Sequence, residues 1–103
     1  MMRHDLTFGV EAESLESVAD ELAIDFGLAF EARYSDYLGG LYYLAKKGNE
    51  EIRIQSNKDG DELAESEFPD ANVLVEIDAL VEMEPWKVWA KSRGAVLIRE
   101  NVY

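Results

Sequence analysis

Histidine and cysteine carry much of the nucleophilic and acid–base chemistry of proteins, and this chain has one histidine, His4, and no cysteine. A serine or cysteine nucleophile needs a base held beside it, so a histidine-based triad is not expected. Carboxylates are abundant, with 22 Asp and Glu, but in such a population any pair spacing arises by chance and none marks an acid–base pair. Asn57-Lys58-Asp59-Gly60-Asp61 opens like a calcium loop, with oxygen ligands at the first, third and fifth places. The pattern then breaks, because Glu62 stands where the tight turn needs glycine and Phe68 where the loop needs its bidentate glutamate. No phosphate-binding or dinucleotide glycine motif is present. The expectation is a protein without catalytic residues, cofactor or bound metal.

The charge is more informative than the chemistry. Ten Lys and Arg against 22 acids give a net charge of −12, which argues against a binder of nucleic-acid phosphates. Tyr34, Tyr37, Tyr42 and Tyr43 would suit base stacking only beside a basic groove, so core and cross-strand packing is the better reading for them, as for Trp86 and Trp89. The charge is also uneven. Residues 1–27 sum to −6, residues 28–58 to +1, residues 59–84 to −10 with no cation at all, and residues 85–103 to +3. A stretch of that kind repels itself. It is either a solvated loop that maintains solubility or a surface shaped for a cationic partner. No apolar run reaches the ~20 residues of a membrane helix, and MMRHDLTFGV lacks the apolar core of a signal peptide. A cytoplasmic protein with no membrane contact is therefore expected.

The elements that must position these groups follow from periodicity. The 103 residues fit one domain. Leu6, Phe8 and Val10 alternate as a first strand. Ser14 caps a helix whose Leu15, Val18, Ala19, Leu22 and Phe26 form one apolar stripe, stopped by Gly27. Leu28 to Tyr34 reads as a second strand, Leu41 to Lys46 as a third and Glu51 to Asn57 as a fourth, the last two joined by a short turn as an antiparallel hairpin. Residues 58–71 lack periodicity and read as a long loop. Val73 to Asp78 is a fifth strand, Pro85 opens a second helix with Trp86, Trp89 and Ala90 inward, and Ala95 to Val102 is the last strand. The predicted class is α+β: a single domain of order β-α-β-β-β-β-α-β, a largely antiparallel sheet with two helices packed on one face.

Phe30-Glu31-Ala32-Arg33-Tyr34-Ser35-Asp36-Tyr37-Leu38-Gly39-Gly40-Leu41-Tyr42-Tyr43 resembles an aromatic–Gly-Gly–Tyr-Tyr hairpin of small bacterial proteins that sit beside polymorphic toxins. Glu51 to Asn57 and Glu67-Phe68-Pro69 are similar to the same pattern, which spans about residues 28–80. The family is that of immunity proteins of contact-dependent growth-inhibition and related toxin systems. The resemblance implies a cytosolic, non-enzymatic antidote that binds one cognate toxin domain, 1:1, and blocks it. Many such toxins are nucleases, often acting on tRNA. The family carries no shared catalytic residues.

Two partner surfaces follow from the residues. One is the acidic segment, with Asp59, Asp61, Glu62, Glu65, Glu67 and Asp70, suited to a cationic cleft as a phosphate mimic. The other is the outer face of the first helix. On a 100° wheel with Leu15 at zero, Glu16, Asp20, Ile24 and Glu21 lie between 100° and 240°, opposite the apolar stripe. Either the helix ends before residue 24, or Ile24 is an incidental exposed isoleucine, or it is an apolar anchor within acids. Against the toxin reading stands a regulatory or adaptor module for another basic partner. A small hydrolase using carboxylates is the weaker third reading.

Overall fold

The computed structural model describes residues 2–36, 40–59 and 62–103. The elements run β1 (His4–Val10), α1 (Leu15–Phe26), β2 (Glu31–Ser35), β3 (Gly40–Lys47), β4 (Glu50–Ser56), β5 (Lys58–Asp59), β6 (Glu62–Leu63), β7 (Val73–Leu80), α2 (Glu84–Arg93) and β8 (Val96–Val102). Six strands form one antiparallel sheet in the order β2-β3-β4-β7-β1-β8, and β5 pairs with β6 in a separate ribbon. The α+β class and the one-sided helices are as the periodicity predicts.

Strand alternation sorts residues between two faces. Leu6, Phe8 and Val10 lie opposite Ile77, Val75 and Val73, and Ile52 and Ile54 continue the same rows into β4. All are buried, with Val18, Ala19 and Leu22 of α1 and Trp86, Trp89 and Ala90 of α2 in the same core. Phe26 stacks on Trp86 with ring centroids 4.0 Å apart, and Trp89 meets Phe8 edge-on. Both helices therefore close one face.

The helix ends follow local chemistry. The Ser14 hydroxyl accepts from the Ser17 amide at 3.0 Å, and the Ser17 hydroxyl accepts from the Ser14 amide at 3.2 Å, a reciprocal cap on α1. Gly27 takes the left-handed conformation that ends it. Strand ends shift from the sequence expectation by one or two residues, and two departures are larger. β2 starts at Glu31 rather than Leu28, because Leu28 is drawn into the core as the chain leaves α1. Residues 58–71 are not wholly irregular, since β5 and β6 make a two-residue ribbon.

Candidate protein-binding surface

Residues 64–72 lie over the sheet face that the helices leave open, with Glu65 on Arg99 and Ala71 on Gly9, and Asn57 holds them there. This side chain is fully buried. Its Nδ2 donates to the carbonyls of Ala71 at 2.7 Å, Phe68 at 3.2 Å and Glu65 at 3.4 Å, while its Oδ1 accepts from the Glu65 amide at 2.7 Å. One carboxamide thus gives the Ala71 carbonyl and the Glu65 amide their partner and adds to the turn bonds already made by the Glu65 and Phe68 carbonyls. The oxygen that would open a calcium loop is spent on the fold. Among the described residues no three His, Asp or Glu side chains are grouped so as to hold a metal ion.

The returning chain lies directly on β1. A methyl placed on Gly9 would come within 2.9 Å of Ala71 Cβ and 3.0 Å of Ile98 Cδ1, so glycine is what allows the approach. Beyond Ala71 the segment is tied to the start of α1. Asn72 Nδ2 donates to the Ala12 carbonyl at 2.7 Å, and Asn72 Oδ1 accepts from the Ala12 amide at 2.9 Å.

This tie brings the two predicted surfaces together. The carboxylates of Glu67 and Asp70 share one end of the molecule with Glu11, Glu13 and Glu16 at the entry to α1. All five are exposed, and none makes an ion pair among the described residues. A cavity of about 330 Å³ lies at the opposite end of the sheet, and one of about 310 Å³ opens at the acidic end. The latter is walled by Phe68, Pro69 and Val96 and edged by Glu11, Glu67 and Asp70.

Not every predicted residue joins this surface. Glu65 is turned to β8, where Arg99 donates to it at 2.5 Å; the acidic stretch has a cation after all, supplied from 34 residues downstream. Glu21 accepts from Trp89 Nε1 at 2.6 Å and Arg93 Nε at 2.9 Å, joining α1 to α2. Both carboxylates serve the fold. Asp20 is exposed, and α1 continues through Phe26, so Ile24 is helical and 83% exposed, as the wheel places it. It sits about 12 Å along the helix from Glu16, beyond the acidic end. Asp61 lies outside the described residues, as do the side chains of Asp59 and Glu62.

Sequence reading missed Glu11 and Glu13 as members of the surface. Nothing in their spacing links them to Glu67; only the Asn72–Ala12 bonds do, and an asparagine in a loop carries no such signal. The tyrosines divide. Tyr42 and Tyr43 are half-buried, Tyr37 lies outside the described residues, and Tyr34 is 76% exposed on the edge strand β2 rather than packed. His4 Nδ1 is buried without a hydrogen-bond partner, 3.7 Å from Glu100 Oε2. On the open face, burial and the neighbouring Asp5 push the Asp78 carboxyl above its usual range, with Arg53 opposing.

No protein-family model matches this chain, and no curated protein matches it. Among the described residues no helix is long and apolar enough to cross a membrane.

Proposed function

We propose that this protein is an immunity protein: a cytoplasmic, non-enzymatic inhibitor that binds a cationic toxin domain, a nuclease such as a tRNase, and covers its active site with carboxylates. The observation that carries the reading is the distribution of ion pairs. Arg33, Arg53, Lys87, Arg93 and Arg99 are each matched to a carboxylate, while Glu11, Glu13, Glu16, Glu67 and Asp70 stand exposed at one end and make no ion pair among the described residues, outnumbering the cations beside them, Lys58 and Arg93. A cleft built to bind phosphates is lined with Lys and Arg, and an array of carboxylates can occupy it in place of the phosphates. Opposed potentials also speed encounter.

The test pairs this chain with the toxin domain that the reading requires in a neighbouring reading frame, purified and assayed on tRNA. Nuclease activity should fall to zero at about one inhibitor per toxin. Reversing Glu67 and Asp70 to lysine should slow association and flatten its dependence on salt. Unchanged nuclease activity at tenfold excess would sink the reading. Protection at a small fraction of the toxin concentration would replace it with an enzymatic one.

A further inference from the structure

The sheet has two open edges, β2 and β8, and unpaired edges recruit other strands unless something prevents it. On β8 the protection is visible. Its pairing with β1 shifts register between Thr7 and Phe8, and its charged neighbours Arg99 and Glu100 point to opposite faces. No antiparallel self-pairing of β8 can set one against the other.

β2 has neither protection. Its register with β3 runs without a bulge from Glu31 opposite Leu44 to Ser35 opposite Gly40. Glu31 through Tyr34 are exposed, and among the described residues no strand pairs with its outer side. The sequence Phe30-Glu31-Ala32-Arg33-Tyr34 reads aromatic, acid, small, base, aromatic. In antiparallel self-pairing, opposed residues share a face, so the two-fold axis must pass through a residue. An axis at Glu31 sets Glu31 against its own copy, and an axis at Arg33 does the same for arginine. Like charges directly opposite are destabilising. An axis at Ala32 places Glu31 opposite Arg33 of the second copy, twice, on the open face. It places Phe30, which precedes β2 and is half-buried against the core of its own copy, opposite Tyr34, twice, on the helix face, with the two Ala32 methyls between them.

The wider charge pattern permits the approach. Residues 28–58, which hold β2, β3 and β4, sum to +1, while the negative excess lies in residues 1–27 and 59–84. On this flank two copies of a −12 chain can approach away from the acidic stretches 1–27 and 59–84. Within one copy Glu31 and Arg33 touch only loosely, at 3.4 Å with both side chains well exposed, so each is available to a new partner.

We propose that β2 pairs with β2 of a second copy of this chain, antiparallel about a two-fold axis at Ala32, joining two sheets into one. The acidic end stays outside the contact. The inference does not rest on the toxin reading.

Sedimentation velocity of the full chain in low salt, at about 10–500 μM, should show mass rising from 11.7 kDa toward twice that value. Glu31→Arg and Arg33→Glu should each weaken association about tenfold or more, since each faces like charges across the axis. An equimolar mixture of the two variants should associate again, because one then presents two bases on this face of β2 and the other two acids. The double exchange Glu31→Arg/Arg33→Glu should also restore association. A wild-type chain that stays at 11.7 kDa throughout would overturn the proposal, and so would a charge exchange that fails to restore what the single reversals remove.

Discussion

On the helix side of the sheet, Leu22, Ile54 and Val75 have no measurable exposure, and the core between layers is apolar, with the Lys87–Glu100 pair at its margin. On the other side the cover is one stretch of chain, held by the carboxamides of Asn57 and Asn72 and by the Glu65–Arg99 pair. Beside it the Arg53–Glu76 pair bridges β4 and β7. Apolar packing is spread over many side chains and fails gradually or globally. Polar fastening is concentrated in a few atoms and fails locally. The difference separates the part of the molecule that provides stability from the part that presents carboxylates.

Four substitutions sharpen or break that contrast. Leu22→Ala removes a wholly buried side chain under both layers and should cost about 3 kcal/mol in global unfolding, read by chemical denaturation. Asn57→Ala strips the partner from the Ala71 carbonyl and the Glu65 amide, while the Glu65 and Phe68 carbonyls keep their turn bonds from the Phe68 and Ala71 amides, and should cost about 2 kcal/mol. Its signature is regional: hydrogen exchange and proteolysis should accelerate over residues 58–71 while β1 and β7 amides stay protected. Uniform loss of protection would show that the loop and the core are one cooperative unit.

The third effect depends on pH. Asp78 has its folded-state pKa raised by burial first and Asp5 second, so its ionisation opposes folding. Its contribution is most favourable below the unfolded value of about 3.8 and is lost as pH rises through the folded value. Asp78→Asn should therefore raise the thermal midpoint at pH 7 and lose that advantage near pH 3. The smallest stability effect is expected at Ile24, which is 83% exposed. Ile24→Ala should change unfolding by under about 0.5 kcal/mol while costing about 1–2 kcal/mol of affinity if this residue anchors the toxin domain. A larger loss of stability would place Ile24 under a cover.

The same contrast explains what could be read from the chain. The stripe Leu15, Val18, Ala19, Leu22, Phe26 and the alternation of Leu6, Phe8 and Val10 are repeated signals, and each member supports the others. That redundancy is why the fold was legible. Glu21 and Glu65 looked like surface acids because nothing local says that Trp89 and Arg93, or Arg99, will arrive beside them. Asn57 resembled a cation ligand because a carboxamide oxygen has the same appearance whether it meets calcium or an amide. Glu67, Asp70, Glu16 and Asp20 were legible as exposed acids, and the union of the first three with Glu11 and Glu13 was not. Long-range polar partnerships leave no period in the sequence.

The sheet order has a consequence for the timing of synthesis. β1 lies between β7 and β8, although it is the first strand made. The pairs β2–β3 and β3–β4 can close as soon as they emerge, but Leu6, Phe8 and Val10 have no strand partners until Val73 and its successors exist. At ribosomal rates the stretch from Val10 to Val73 takes about 3–13 s. Non-local pairing of this kind also slows the final search. The earliest strand is thus among the last to be paired, and a chain stalled before β7 leaves both edges of its first strand open.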